Sequence, residues 1–421
     1  MALMNIRCER FGNTVLWAAS AVLCACGSGE VRARGATVEY DTIGDTVVAR
    51  VQGPALWGEN VTLQEEVRIG ELEGADAYTF GNVVSMTVAG DGALYVLDEQ
   101  AKKVRKYDAT GRHVLDIGRS GSGPGELKQP HSLDFLPDGR LAVRDFGNAR
   151  INFYNATGES VGTLIIPGGF YTSTPMHIDT AGRIYTSVIA DRVEGQMFKV
   201  GFQRFDADGK VQDTIRNPRP DFQSASLIAR SPDGTGTSAS SVPFTPNVNW
   251  TLDRAGNVVW GINNEYAIHT IRDGRPFRIT RVVDPVPVQA AEKTAEEERV
   301  RRNMKRTQPN WTWQGPSIPD TKPFFRSVMV AHDGRLWVQA TQPGVRQPPD
   351  TTAARERNEP PPIDRWIEPL VYDVFEPDGQ WLARIAMPER FRPMYLRGNH
   401  IWGVQRDEFD VNYVVRLRIA H

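Results

Sequence analysis

From about residue 36 onward, apolar residues recur with period two, in short runs divided by turn signals. Val84 to Val88 alternates, Leu94 to Leu97 is a short apolar run, and Val104 to Tyr107 and Val114 to Ile117 follow. Between the runs lie Gly90-Asp91-Gly92 and the stretch Asp108 to Gly111, whose residue types suit tight turns. The pattern predicts four short antiparallel strands.

The unit then repeats. Leu133 to Phe135, Leu141 to Val143, Ile151 to Tyr154 and Val161 to Leu164 form a second unit, with turns at Pro137 to Gly139 and Asn155 to Gly158. Gly92 and Gly139 lie 47 residues apart, and so do Gly111 and Gly158. A period of about 40–50 residues with four strands per unit is the signature of a β-propeller. A third unit runs from Ile178 to Gly209, a fourth from Trp250 to Ile271, a fifth from Val328 to Gly379 and a sixth from Tyr395 to Ile419. The predicted fold is all-β: a six-bladed β-propeller of four-stranded antiparallel blades.

The sixth unit is short of one strand. Val67 to Gly74 is similar to Leu115 to Gly121, the end of the first unit. It is therefore expected to supply the outer strand of the last blade and so to close the ring, because each blade has an apolar face that only a neighbour covers. Thr46 to Val51 reads as a further strand outside that blade. Two stretches break the repeat. Residues 285–316 carry a helical insertion, in which Glu297 and Arg301, and Glu298 and Arg302, stand four apart with the acid first; it reads as solvated. Residues 341–364 are rich in proline and read as a loop inside unit five. Ser224 to Pro246 reads as a polar connection.

The first residues read as export rather than fold. Arg7 and Arg10 precede an apolar run from Thr14 to Ala25, too short to span a bilayer, which takes about 20 apolar residues. The run ends Leu23-Cys24-Ala25-Cys26-Gly27. This resembles a bacterial lipobox, which implies cleavage before Cys26 and lipid on its sulfur, each buried CH₂ adding roughly 0.8 kcal/mol of membrane affinity. Residues 1–25 are then a signal peptide, 26–35 a flexible tether and 36–421 the propeller. A soluble secreted protein cut elsewhere in the same run is the alternative. The other cysteines, Cys8 and Cys24, leave with the signal, so the mature domain has no thiol and no disulfide. Lysine plus arginine 49 against aspartate plus glutamate 51 argues against a large nucleic-acid surface.

Unit two reads Gly125-Glu126-Leu127, Gln129-Pro130, Leu133, Asp138 to Leu141, Val143, Asp145, Asn148, Arg150-Ile151, Phe153 and Gly158. This is similar to the NHL repeat, whose D-x-x-N-x-R signature precedes the third strand. The chain resembles the six-bladed propeller proteins common among exported bacterial proteins, most specifically over residues 66–166. The resemblance implies a fold and an interaction surface, not one activity. Unit one keeps Asp98 but has Ala101 and Lys103 at the asparagine and arginine positions. Asp145, Asn148 and Arg150 are expected to be structural, with Arg150 pairing Asp145 across the turn; a ligand contact is the competing role.

Pro130-His131-Ser132-Leu133 matches a string whose histidine binds zinc in some NHL-like lyases. Zinc needs several ligands, and the second candidate, His177, stands one place out of step, which on a strand sends it to the opposite face. Gly121 to Gly125 opens no helix and lacks a P-loop lysine, so an inter-blade turn accounts for it. Trp260, Trp337 and Trp402 fall at equivalent second-strand positions and suit packing between blades; Trp311 and Trp313 are candidate surface anchors in the insertion. Two functions follow. The first is a cell-envelope binding or scaffold lipoprotein, without a cofactor, that holds a protein, peptide or glycan at one propeller face. It would sit in the periplasm or on the cell surface and meet the membrane only through its lipid. Gly27 is not the aspartate associated with inner-membrane retention, which points to the outer membrane. The second is a lyase or lactonase with a divalent metal, zinc or calcium, in the central channel.

Overall fold

The computed structural model describes residues 37–421 apart from 59, 167–173, 192–198, 207 and 348–361. Cys26, the signal and the tether lie outside the described residues. Six blades, each built on four antiparallel strands, make up the ring. Blade 1 contains Val83–Val88, Leu94–Asp98, Lys103–Tyr107 and His113–Ile117. Blade 2 contains Pro130–Phe135, Leu141–Asp145, Arg150–Tyr154 and Ser160–Ile165. Blades 3, 4 and 5 begin at His177–Ile178, Val248–Leu252 and Phe325–Val330 and end at Val211–Ile215, Arg275–Arg281 and Trp381–Ala386. Blade 6 takes Phe391–Arg397, His400–Arg406 and Asn412–Ala420 from the C-terminus and Thr62–Ile69 from the N-terminus, paired antiparallel with Ile69 opposite Val414. The expected closure is present.

The strand pattern explains the burial. In Leu94–Asp98 every residue is buried. Leu94 and Val96 pack on Trp402, Val404 and Val414 of blade 6, whereas Tyr95 and Leu97 pack on Leu133, Leu141 and Val143 of blade 2. A second strand covered on both faces reads as a continuous apolar run. The outer strand Ser160–Ile165 is mostly exposed. Comparable clusters join blades 2 and 3 through Ile151 and Ile184, 3 and 4 through Phe202 and Leu252, 4 and 5 through Ile268 and Phe325, and 5 and 6 through Trp337 and Ile401. Trp337 and Trp402 are inter-blade packing, as expected; Trp260 instead stacks on His269 within its own blade.

The turn glycines meet two demands at once. Gly111 has φ +91°, and a Cβ there would lie 3.0 Å from side-chain carbons of Val67 and Ile69. Gly158 has φ +84°, with its Cβ position 3.0 Å from Ile117. Each turn between the third and fourth strands thus presses on the outer strand of the preceding blade. Ile69 does for blade 1 what Ile117 does for blade 2, which is why their surrounding sequences look alike.

Three expectations change. Thr46–Gln52 does not lie beside the last blade; it pairs in parallel with Arg275–Arg281, the outer strand of blade 4, and Thr37–Ile43 pairs in turn with it. That strand edge offers free backbone groups, and Ala49 and Val51 drop into the apolar seam between blades 4 and 5. Next, the serine-rich stretch contains a hairpin, Ser226–Arg230 with Thr237–Ser241. Its inward residues include Leu227 and Ala229, and serines and threonines elsewhere on the hairpin mask the pattern. Last, the helix Ala290–Thr307 forms with its expected Glu–Arg pairs but is not solvated all round. Val300 and Met304 are buried with Leu227, Ala229 and Trp311 in a small second core. Trp311 is part of that core, its indole N–H donating to the Ile228 carbonyl, and is not a surface anchor. The loop within blade 5 holds a short hairpin, Val345–Gln347 with Arg365–Ile367.

Substituting Gly111 by alanine is expected to cost roughly 1–3 kcal/mol of stability, from strained backbone and crowding together. Alanine at Gly90, where a Cβ meets nothing within 4 Å, is expected to be near neutral. Paired denaturant titrations check both values.

Candidate functional site

Antiparallel order puts the turns between first and second strands, and between third and fourth, on one face of the ring. The turns between second and third strands, and the connections between blades, lie on the other. All three insertions (the hairpin, the helix and the loop within blade 5) leave from this second face, and so do the motif residues.

The motif residues are engaged with backbone. The fully buried Asp98 accepts hydrogen bonds from the amides of Gly81, Asn82, Gln100 and Ala101 at 3.0–3.2 Å and from Arg105 at 2.9 Å. Burial pushes its carboxyl up, but these donors more than reverse that and hold it below the ordinary value. Asp145 accepts from the amides of Lys128 and Gln129 and from Asn148 Nδ2 at 2.7 Å. Asn148 also donates to the Gly121 carbonyl. Arg150 does not pair with Asp145; it donates to the carbonyls of Ser122, Gly123 and Glu126. The reason is local: the glycine-rich connection Gly121 to Gly125 folds back over the turn and presents carbonyls there. In blade 1 the arginine that sequence comparison missed is Arg105, two places beyond Lys103, buried against Asp98. These residues staple each inter-blade connection to the neighbouring turn.

His131 starts the inner strand of blade 2 on this face, almost buried, its ring tilted against Phe146 at 5.4 Å. His177 lies at the other end of the channel. Counting back from the turn glycines, His177 precedes Gly182 by as much as Asp134 precedes Gly139, so it matches Asp134 and not His131. It is three places out of register with His131, not one. Its Nε2 bonds to the Asp253 carbonyl at 2.7 Å, and burial lowers its pKa. The two histidines therefore do not converge on one metal. Among the described residues no group of three or more histidine, cysteine, aspartate or glutamate side chains is placed to hold an ion.

What sequence reasoning missed is the opposite mouth. Thr87, Asp134 and His177 occupy the same inner-strand position in blades 1, 2 and 3. Arg254 and His332 occupy the same turn position in blades 4 and 5, two residues before Gly256 and Gly334. They meet at the axis. Asp134 accepts from the Thr87 hydroxyl at 3.1 Å and, across the channel, from Arg254 at 2.9 Å, with His332 Nε2 at 3.6 Å. Burial raises the Asp134 carboxyl, and His332 and Arg254 outweigh it, leaving the group below its usual value. His332 lies against Tyr395 of blade 6 at 4.1 Å. Around this cluster opens a cavity of about 430 Å³. Lys106 and Arg397 border it, and among the described residues neither has a carboxylate within ion-pair distance. Polar residues at a recurring inner-strand position, where turn chemistry does not demand them, were the signal available in the sequence.

Fold and site together define a six-bladed β-propeller with a charged axial mouth. Residues 61–215, from the closing strand to the end of blade 3, match the DUF5128 family, described as a 6-bladed beta-propeller. No curated protein is significantly similar to the chain in sequence. Among solved structures, a DUF4221 family member from Bacteroides vulgatus is similar at TM-score 0.49 and 12% identity, over 86% of this chain and 98% of that one. An inferred exported protein from Bacteroides fragilis gives 0.47 and 12%, over 86% and 96%. Virginiamycin B lyase from Staphylococcus aureus gives 0.40 and 11%, over 86% and 100%.

Asp98 gives a pH test. Its folded pKa is depressed, so its stabilisation is complete above the unfolded value near 3.9 and is lost as pH falls through the folded value. Asp98→Asn is expected to cost about 3 kcal/mol at pH 7, because the buried Arg105 loses its buried partner and keeps only the exposed Asp76 at 3.4 Å. The gap to wild type should narrow below pH 4. Urea titrations at pH 7 and pH 3 measure it.

Proposed function

We propose that the protein is a binding module of the bacterial cell envelope, exported and held at a membrane by lipid on Cys26, which takes up a polar ligand at the axial mouth. The observation that carries the binding role is the Asp134–Arg254–His332 cluster. Blades 2, 4 and 5 each contribute one side chain to it, and a rigid ring holds these charges in place before any ligand arrives, which lowers the entropic cost of binding. The mouth has the size of a small-molecule site, about 300–1,000 Å³ in general. Beside it stand two basic side chains, Lys106 and Arg397, with no counter-ion among the described residues. The partner is a glycan, peptide or protein segment whose polar group replaces water there. The anchor follows from the lipobox-like Leu23 to Cys26 alone.

Two measurements test this. Cys26→Ala is expected to abolish incorporation of a labelled fatty acid and to move the protein from the membrane to the soluble fraction; unchanged labelling refutes the anchor. On a peptide and glycan array, the full chain is expected to give signals that fall at least tenfold in Arg397→Glu. Signals indifferent to that change place binding elsewhere.

A further inference from the structure

We infer that the ligand of the axial mouth is an acidic carbohydrate, recognised through the carboxylate of a hexuronic acid residue. The inference rests on the binding-module reading and names its ligand class. The charge pattern argues for an anion. Lys106, Arg254 and Arg397 border the cavity with Asp91 and Asp134, and only Arg254 among the three cations has a carboxylate partner. Arg397 is exposed at the rim, and Lys106 leans over the Tyr95 ring at 5.3 Å. The excess positive charge is local, since the whole chain carries −2. A guanidinium and an ammonium with no carboxylate partner among the described residues bind a carboxylate by charge-assisted hydrogen bonds.

The rest of the cavity selects among anions. Its walls include hairpin turns that are closed by their own backbone bonds: Ala89 N–H bonds to Ala93 O and Gly92 N–H to Ala89 O in blade 1, Leu136 N–H to Arg140 O and Gly139 N–H to Leu136 O in blade 2. What remains are side-chain cations, the half-buried Phe135 braced by the edge of Tyr95 at 5.0 Å, and the imidazole of His332. A half-buried apolar ring, Phe135, beside cations suits a sugar ring that carries a carboxylate.

The test uses the full chain, purified from membranes in detergent, with tri-galacturonate as probe and its methyl ester as the uncharged control. By titration calorimetry the acid is expected to bind at least tenfold more tightly than the ester, with the preference shrinking in high salt. The double variant Lys106→Ala/Arg397→Ala should lose that preference while keeping the wild-type circular dichroism spectrum. Lys106→Arg/Arg397→Lys should retain it. Equal affinity for acid and ester, a preference that survives the double alanine change, or equally tight binding of a peptide through its free C-terminal carboxylate overturns the inference. Failure here with an Arg397-sensitive signal on the array leaves the binding module standing with another ligand. No Arg397-sensitive signal of any kind removes both.

Discussion

Everything in this molecule depends on apolar faces that no blade covers alone. The second strand of each blade is sandwiched, so Leu94 and Val96 need blade 6 while Tyr95 and Leu97 need blade 2. A chain of such dependencies is stable only if it has no end. The N-terminal segment supplies the closure over three blades in succession. Thr37–Gln52 widens blade 4, the amides of Leu56 and Trp57 bond to the outer strand of blade 5 at Trp381 and Leu382, and Thr62–Ile69 completes blade 6. Closing so long a loop costs little more than closing a shorter one, because the entropy grows only with the logarithm of its length. The apolar seam between blades 6 and 1, with Val67, Ile69, Val83 and Val414, is the compensation.

The same geometry decides where a site can form. A ring of inner strands delivers one residue per blade to each level of the channel. Partners at the axis are therefore far apart in sequence: Asp134, Arg254 and His332 come from blades 2, 4 and 5. The two mouths are used differently. On the insertion face, Asp98, Asp145, Asn148 and Arg150 are spent on amides and carbonyls of the connections. On the turn face, side chains turn toward each other and toward open space.

This contrast sets what the sequence made legible. Repeated turn glycines 47 residues apart, apolar second strands and the likeness of Ile69 to Ile117 carry the architecture, because each reports a local constraint repeated in every blade. The hairpin at Ser226–Ser241 stayed hidden, since a small core such as Leu227, Val300 and Met304 joins residues from separate segments and shows no repeat. The attachment of Thr46–Gln52 was equally illegible, for strand edges in blades 4 and 6 look the same to a short alternating run. The structural role of the NHL-like residues was readable in kind, though not in its partners. The Arg150 geometry depends on how the connection from Gly121 to Gly125 folds, which turn propensity does not fix. The axial mouth was missed because the histidines were compared by neighbouring residues, Pro130-His131 against Met176-His177, instead of by distance from the turn glycine.

The described chain enters the propeller at Thr37, on the outermost strand of blade 4, and thus at the rim and not on the axis. Among the described residues, the insertion face carries the hairpin, the helix and the blade 5 loop, while the turn face carries tight hairpins and, beside blades 5 and 6, the segment around Trp57 that leads into the closing strand. Asp134 and Arg254 stand on the side of the short turns, and Lys106 and Arg397 border the same cavity, so the charged mouth lies at the end of the channel away from the three insertions.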